Sequence, residues 1–384
     1  MIVTHLSLTD FRNYEHLDVA LHPGANLFVG SNGQGKTNLV ESLGYLSTLG
    51  SHRVSVDHAM IRAGQESAIV RARLASGERE ILAEVQLNRT GPNRAQVNRS
   101  PIKTRELPRY FSSVLFAPED LALVRGEPSG RRRFLDELLI LRTPRMSSVV
   151  ADYERVLRQR NTLLKTARNA RGDLSTLDIW DERLVTLGSE IIIARSWLVD
   201  ELSPEVTRAY GAIAGADHAA RLSSRLSIFS SSTDDEVEDA DANRSGPLEQ
   251  SAVADGFRAA LARLRRAELD RGVTLAGPHR DDLVLELNAL PARGYASHGE
   301  SWSFALSLKL ASAEVLRREA STGDPVLILD DVFAELDESR RGRLAAAVGD
   351  YEQVLITAAV FGDVPDELAS NIVRIRAGAV VDDE

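Results

Sequence analysis

The stretch that most constrains this chain is Gly30-Ser31-Asn32-Gly33-Gln34-Gly35-Lys36-Thr37, a G-x-x-x-x-G-K-T sequence. Asn26-Leu27-Phe28-Val29 before it is apolar and β-prone, and Asn38 to Leu46 after it has helical spacing. The pattern predicts strand, loop and helix in that order, the context in which such a loop holds phosphate. Glycines let the backbone bend until several N–H groups face one anion. The helix N-terminus adds about half a positive charge. In this arrangement Lys36 reaches the β- and γ-phosphates and the Thr37 hydroxyl holds Mg²⁺, so the cofactors expected are ATP and Mg²⁺.

With 384 residues the chain has room for two or three domains and a sizeable core. It contains no cysteine, which excludes disulfides and cysteine-based zinc sites and suits a cytoplasmic protein. Met1 to Leu6 lacks the basic, apolar and cleavage regions of a signal peptide, and no uncharged apolar run is long enough to span a bilayer. No membrane partner is expected. The net charge is −10, but six acids between Asp234 and Asp241 supply more than half of it. A basic face elsewhere is compatible with that total, because total charge is not distribution.

Along the chain, residues 1–29 read as a β-hairpin leading into the strand before the loop. Arg12 and Asn13 fall at its turn, within reach of a nucleotide; a solvated turn is the other reading of Arg12. Residues 68–74 and 80–87 alternate apolar and polar and predict antiparallel strands. Asn88 to Arg99 is turn-rich and basic, either an ordinary loop or a contact for DNA phosphates. Arg131-Arg132-Arg133 opens a helix against its own dipole, which calls for acidic neighbours or phosphates. Residues 144–169 and 176–213 predict two long antiparallel helices, with Ile179, Leu184, Ile191, Trp197 and Leu202 in the second apolar stripe and Gly172-Asp173 at the turn. They are too short for an extended coiled-coil arm. The basic positions of the first are either a DNA-facing surface or a solvated face. Residues 230–250 read as a mobile acidic loop, and 251–270 as a further helix.

Three later stretches complete an ATPase. Pro325 to Asp331 places two acids after a buried strand: Asp330 for the Mg²⁺ shell, Asp331 to orient or deprotonate the attacking water. Ala334-Glu335-Leu336-Asp337 follows. Ser297-His298-Gly299-Glu300 opens a helix, a second phosphate-binding device. Because the chain already has one full cradle, Ser297 and Gly299 are expected to cap a nucleotide held by a second copy. This order of motifs is similar to that of ATP-binding-cassette ATPases. It predicts an α/β fold: an ABC-type P-loop ATPase head with an antiparallel β-subdomain and an inserted helical lobe. The expected divisions are 1–117, the lobe with the P-loop and β-subdomain; 118–272, the helical lobe; and 273–384, the rest of the ATPase lobe. Ala358 and Ala359 stand where such enzymes usually place a switch histidine, leaving Thr357 as the nearby polar residue. A transporter's nucleotide-binding subunit, an SMC-like structural ATPase and a non-hydrolysing scaffold are the competing readings. The first predicts that histidine and the second hundreds of residues of heptads, and both are missing here; Asp331 argues against the third, while Glu300 leaves it open.

The chain resembles the RecF family of bacterial recombination mediators from end to end. The matching stretches are Phe11 to Tyr14, Gly30 to Thr37, Phe116 to Leu121, Arg131 to Asp136, Gly277 to Asp282 and Leu329 to Asp331. One departure is Glu300, where the family's signature usually has Gln. The resemblance implies a cytoplasmic protein with weak, DNA-stimulated ATP hydrolysis. It implies a homodimer formed on ATP binding and clamped on DNA, favouring single-strand/double-strand junctions at gaps. The implied partners are RecR, RecO and RecA, in gap repair, replication and the SOS response.

Overall fold

A computed structural model describes all residues except 171–175, 216–217, 231–242, 245, 321 and 382–384, and leaves out the side chains of 168–170. The acidic run Asp234–Asp241, most of the loop expected over 230–250, and the turn at Gly172-Asp173 lie outside the described residues. In chain order the elements begin with β1 (Ile2–Phe11), β2 (Tyr14–Ala20), β3 (Gly24–Val29), α1 (Lys36–Thr48), β4 (Ser67–Ser76), β5 (Arg79–Asn88), β6 (Arg94–Val97), β7 (Ser100–Ile102) and β8 (Ser113–Phe116). There follow α2 (Leu121–Arg125), α3 (Pro128–Arg142), α4 (Met146–Ala170), α5 (Leu177–Ala214), β9 (Ala220–Arg225), β10 (Asn243–Arg244) and α6 (Gln250–Arg271). The chain continues with β11 (Asp282–Leu287), β12 (Leu290–Pro291), α7 (Ala292–Tyr295), α8 (His298–Glu319), β13 (Val326–Asp330), α9 (Glu338–Val348), β14 (Gln353–Ala358), β15 (Asn371–Arg376) and β16 (Ala379–Val381).

These elements form two compact units: Met1–Leu121 with Arg208–Asp217 and Trp302–Glu384, and Ala122–Thr207 with His218–Ser301. The first unit contains two sheets. One, in the order β2-β1-β4-β5-β6-β7, is antiparallel. Buried and exposed positions interleave along its strands, as in β2, where Tyr14, Leu17 and Val19 are buried and Glu15, His16, Asp18 and Ala20 are exposed, so the sheet has one buried face. The other, β16-β15-β3-β14-β13-β8, is parallel except for β16. Every residue of β13 and β14 is buried, because a parallel strand covered on both faces needs a continuous apolar run.

α1 packs into the same core as both sheets: Leu39, Val40, Leu43 and Leu46 join Leu6 and Leu8 of β1, Val70 of β4 and Ile328 of β13. Each such fully buried aliphatic side chain contributes about 1.5–3 kcal/mol of transfer free energy. Gln353 ties the sheets together from a fully buried position. Its amide donates to the carbonyls of Val3 (2.8 Å) and His22 (2.9 Å) and accepts from the Val3 N–H (2.7 Å). The loop between β3 and α1 is therefore anchored on a rigid base.

The second unit is helical with a small antiparallel sheet, β10-β9-β11-β12. Arg160 of α4 is fully buried at its centre, bonded to Asp181 of α5 (2.6 Å), Glu268 of α6 (2.6 Å) and the Thr274 hydroxyl (2.8 Å). Three details differ from the sequence reading. Residues 118–121 and 208–215, assigned there to the helical lobe, belong to the first unit. Residues 273–301, assigned there to the ATPase lobe, belong to the second unit, because β11 pairs along its whole length with β9. Ile179 and Trp197, assigned to the apolar stripe of α5, are exposed. Trp197 instead stacks under the Arg142 guanidinium, 3.7 Å from the ring centre.

Candidate nucleotide-binding site

In the first unit the predicted strand and helix are β3 and α1, and Gly30 to Gly35 joins them. Two glycines are required by geometry. Gly35 has φ +117°, and a Cβ there would lie 2.7 Å from the Asn13 amide nitrogen and 2.8 Å from the Tyr14 hydroxyl. A Cβ on Gly30 would collide with the Ile375 carbonyl of β15. Gly33, with φ +81°, has open space around its missing Cβ, as a loop that wraps an anion needs.

The loop is braced on every side by its own unit. Tyr14 donates from its hydroxyl to the Gly35 carbonyl (3.0 Å), and Asn13 donates to the Gln34 carbonyl (3.1 Å). The Asn38 amide donates to Asn13 (2.7 Å), and the Ala377 and Gly378 N–H groups donate to Gln34 (2.5 and 3.0 Å). Arg12 makes a bidentate pair with Glu41 of α1 (2.8 and 2.6 Å) and donates to the Ala59 carbonyl (3.0 Å). Its guanidinium thus holds the helix that carries Lys36 and Thr37. Burial alone would raise the Glu41 carboxyl, but Arg12, Ser51 and Arg53 outweigh burial and hold it below its ordinary value. Arg12 and Asn13 meet the loop as braces, through its backbone and helix.

Lys36 is buried, and its ammonium donates to the carbonyls of Gly30 (2.6 Å) and Ser31 (3.3 Å). The register of β13 on β14 places Asp330 directly opposite Thr357. The Asp330 Oδ1 accepts from the Thr37 hydroxyl (3.0 Å) and the Thr357 hydroxyl (2.6 Å), and Thr357 accepts the Asp331 N–H (2.9 Å). This closes a chain of contacts from α1 through β13 to β14. Burial pushes the Asp330 carboxyl up to about 6; the threonine hydrogen bonds oppose that shift, and the neighbouring Asp331 and Glu119 charges add to it. A buried carboxylate served by neutral hydroxyls and crowded by other carboxylates is a strong attractor for a hard cation. Thr37 and Asp330 supply the oxygen donors that Mg²⁺ prefers, so the residues present fit that ion. Asp331 sits at φ +51°, and its buried Oδ1 has no hydrogen-bond partner among the described residues.

Other residues of the site carried no assigned role from sequence. His52 places its Nε2 3.9 Å from the second Asp330 oxygen, buried and without a hydrogen-bond partner among the described residues. Burial lowers its pKa, with Glu119 and Glu41 opposing. Asp120 pairs with Lys309 (3.2 Å) and accepts the Ala117 N–H (2.8 Å), fixing the turn that carries Glu119. Glu41 and Thr357 shared one legible signal: a polar side chain among buried neighbours must find a partner.

Ser297 and Gly299 belong to the second unit. Ser297 caps α8 with Glu300 as a reciprocal pair: the Ser297 N–H donates to the Glu300 carboxylate (2.7 Å), and the Glu300 N–H donates to the Ser297 hydroxyl (3.3 Å). Arg125 donates to the Ser301 hydroxyl beside it (3.0 Å). The glutamate at the variant signature position is thereby folded back on the cap, a bond that glutamine also makes.

A parallel sheet whose first βα turn is this loop, an acid-ended strand two places along that sheet and an antiparallel sheet sharing the core of α1 define a P-loop ATPase head of the ATP-binding-cassette type. A family profile described as the RecF/RecN/SMC N terminal domain matches residues 2–376. The "DNA replication and repair protein RecF" of Clavibacter sepedonicus is 66% identical over the whole chain and 95% of that protein. The protein of the same description from Leifsonia xyli subsp. xyli is 66% identical over all of both chains. A solved structure described as the recombination mediator protein RecF-ATPrS in the RecFOR pathway superposes with a TM-score of 0.87 at 27% identity, covering 99% of this chain and 97% of the other. The chain belongs to the RecF family.

Proposed function

We propose that this protein is an ATP-dependent DNA-binding protein of recombinational gap repair and replication, with a slow, DNA-stimulated ATPase activity. The observation that carries the reading is the Thr37–Asp330–Thr357 chain facing the Gly30–Gly35 loop. In this reading the loop N–H groups and the α1 N-terminus hold the phosphates, and Lys36 exchanges its carbonyl partners for the β- and γ-phosphate oxygens. Thr37 and Asp330 hold Mg²⁺, which when bound neutralises charge on the transferring phosphoryl group. Asp331 orients or deprotonates the attacking water through its unpartnered Oδ1. Ser297 and Gly299 of one copy cap the γ-phosphate held by the other, so that ATP joins two copies on DNA and hydrolysis releases them. The names borne by relatives, a replication and repair protein and a mediator in the RecFOR pathway, support work alongside RecO and RecR. In this reading the outcome is RecA loading.

The test is ATP turnover with and without gapped duplex DNA for wild type, Lys36→Arg and Asp331→Asn. Lysine and arginine differ in shape at equal charge, so Lys36→Arg is expected to lose turnover. Asp331→Asn is expected to retain ATP binding and lose turnover. Unchanged turnover in both variants contradicts the assignment.

A further inference from the structure

The turn after α1 carries a histidine that has no part in the chemistry above. Ser51-His52-Arg53 folds back along α1 and is fastened to it on both sides of the histidine. The Ser51 hydroxyl donates to the Glu41 carboxylate and accepts the N–H groups of Arg53 (2.9 Å) and Val54 (3.1 Å). Arg53 donates to the side-chain oxygen of Asn38 (2.8 Å), the residue after Thr37. The His52 ring is therefore held beside the first turns of α1, in the same unit as the loop and Asp330.

The ring's surroundings there are incomplete. Its Nε2 is buried and has no hydrogen-bond partner among the described residues. The Asp330 Oδ1 is filled by the Thr37 and Thr357 hydroxyls, whereas Oδ2 accepts no hydrogen bond among the described residues. Nε2 stands 3.9 Å from Oδ2, beyond the ~2.7–3.2 Å of a hydrogen bond. Few buried polar atoms stay unpartnered, because each then carries its full desolvation cost. This one borders the open oxygen of the acid that faces the phosphate loop. Burial lowers the ring's pKa; Glu119 and Glu41 oppose this, and Arg53 and Lys309 add to it. An uncharged ring has a lone pair to offer. Mg²⁺ takes oxygen ligands and keeps several of its waters, so a ring nitrogen meets it through a water rather than directly. Water polarised by a dication is a strong donor.

We propose that His52 is a positioning residue for Mg²⁺: its Nε2 accepts a hydrogen bond from a water that the ion carries when Thr37 and Asp330 hold it. This rests on the Mg²⁺ reading of Thr37 and Asp330 given above. In the metal-free protein Nε2 is left unpartnered, so the histidine serves ion binding and adds nothing to the fold. The loss of such an outer partner typically weakens metal binding about 10–100-fold.

The test uses the full chain, a fluorescent ATP analogue and its ADP counterpart, for wild type, His52→Leu and His52→Gln. Leucine keeps the bulk and removes the acceptor; glutamine keeps an acceptor oxygen near the place of Nε2. Affinity is measured in saturating Mg²⁺ and in EDTA, and the ratio of the two is compared. For both nucleotides the ratio should fall about tenfold or more in His52→Leu and return to within about threefold of wild type in His52→Gln. In EDTA all three proteins should bind equally. Guanidinium unfolding without metal is the second readout. Exchanging an unpartnered buried nitrogen for an apolar group should leave the His52→Leu midpoint at or above that of wild type, whereas a structural histidine would lower it. An unchanged ratio in His52→Leu overturns the proposal, and so does a lowered metal-free midpoint. A deficit that persists in EDTA with the ATP analogue and is missing with the ADP one overturns it in favour of a γ-phosphate contact. A wild type whose nucleotide affinity ignores Mg²⁺ refutes the Mg²⁺ reading itself, and the proposal with it.

Discussion

Replacing Thr357 tests whether β14 holds Asp330, the acid proposed to bind Mg²⁺, in place. The side chain is fully buried, and its hydroxyl does two things: it donates to Asp330 at 2.6 Å and accepts the Asp331 N–H at 2.9 Å. Thr357→Val keeps the shape and removes both. A hydrogen bond to a charged group is worth about 1.5–3 kcal/mol, and a buried N–H left without a partner costs about 1–3 kcal/mol. Because Thr37 still serves Asp330 and the chain relaxes, the expected loss is about 3 kcal/mol. Thr357→Ser keeps the hydroxyl and loses a methyl, about 1 kcal/mol. The assay is guanidinium unfolding followed by Trp302, which lies buried in the first unit, with Trp180 and Trp197 replaced by Phe. Thr357→Val should lower the midpoint at unchanged slope by at least twice as much as Thr357→Ser. Loss of the donor also lets the Asp330 carboxyl climb above about 6, so the stabilisation that wild type gains from Mg²⁺ and ATP should shrink in the valine variant. Equal midpoints for the two variants would show that the Thr357 hydroxyl does not hold Asp330.

Asp331→Asn should accumulate as a dimer under saturating Mg²⁺ and ATP, read by sedimentation; a monomer there counts against the shared site. Glu300→Gln should leave thermal stability within about 0.5 kcal/mol, since the amide oxygen makes the same bond to Ser297, whereas Glu300→Ala should cost about 1 kcal/mol; equal effects would remove the capping account. Below the neutral range, two groups of the second unit oppose each other. Burial lowers the His279 ring to about 3, so as pH falls from its unfolded value of about 6.5 the unfolded chain takes up the proton first and stability falls by about 1.4 kcal/mol per unit. Burial raises the Asp281 carboxyl to about 6, so between about 6 and 4 the folded chain takes up the proton first and stability rises at the same rate. Relative to wild type, His279→Asn should therefore gain stability from pH 6 to pH 4 and Asp281→Asn should lose it. Parallel pH curves for all three would show that neither group titrates as its burial requires.

The parts of the site that were legible in sequence share one property: their chemistry is fixed by local spacing. Gly30 to Thr37 specifies a loop, and the four apolar residues of Val326–Leu329 specify a buried strand with Asp330 at its end. What sequence could not supply was the far partner. Thr357 lies 27 residues from Asp330, and only the parallel register of β13 on β14 shows that it faces that acid. His52 and Glu119 are drawn to the same place by the turns after α1 and β8, neither of which has a spacing rule. The arginines opening α3 were legible as an electrostatic conflict, but that Arg131 resolves it on Asp282 depends on how β11 packs under the helix. Residues 273–301 were misallocated for a related reason: strand pairing between β9 and β11 is long-range, and composition does not report it. Ile179 and Trp197 show the limit of periodicity, since a 38-residue helix carries apolar residues outside its buried stripe.

In the proposed mechanism ATP joins two copies of this chain through the loop of one and the α8 start of the other. The most direct measurement is the mass in solution with and without Mg²⁺ and ATP, for wild type and Ser297→Arg. Wild type should shift from monomer to dimer, and Ser297→Arg should bind ATP yet stay monomeric. A wild type that binds ATP and remains a monomer, or a Ser297→Arg protein that dimerises as wild type does, would contradict it.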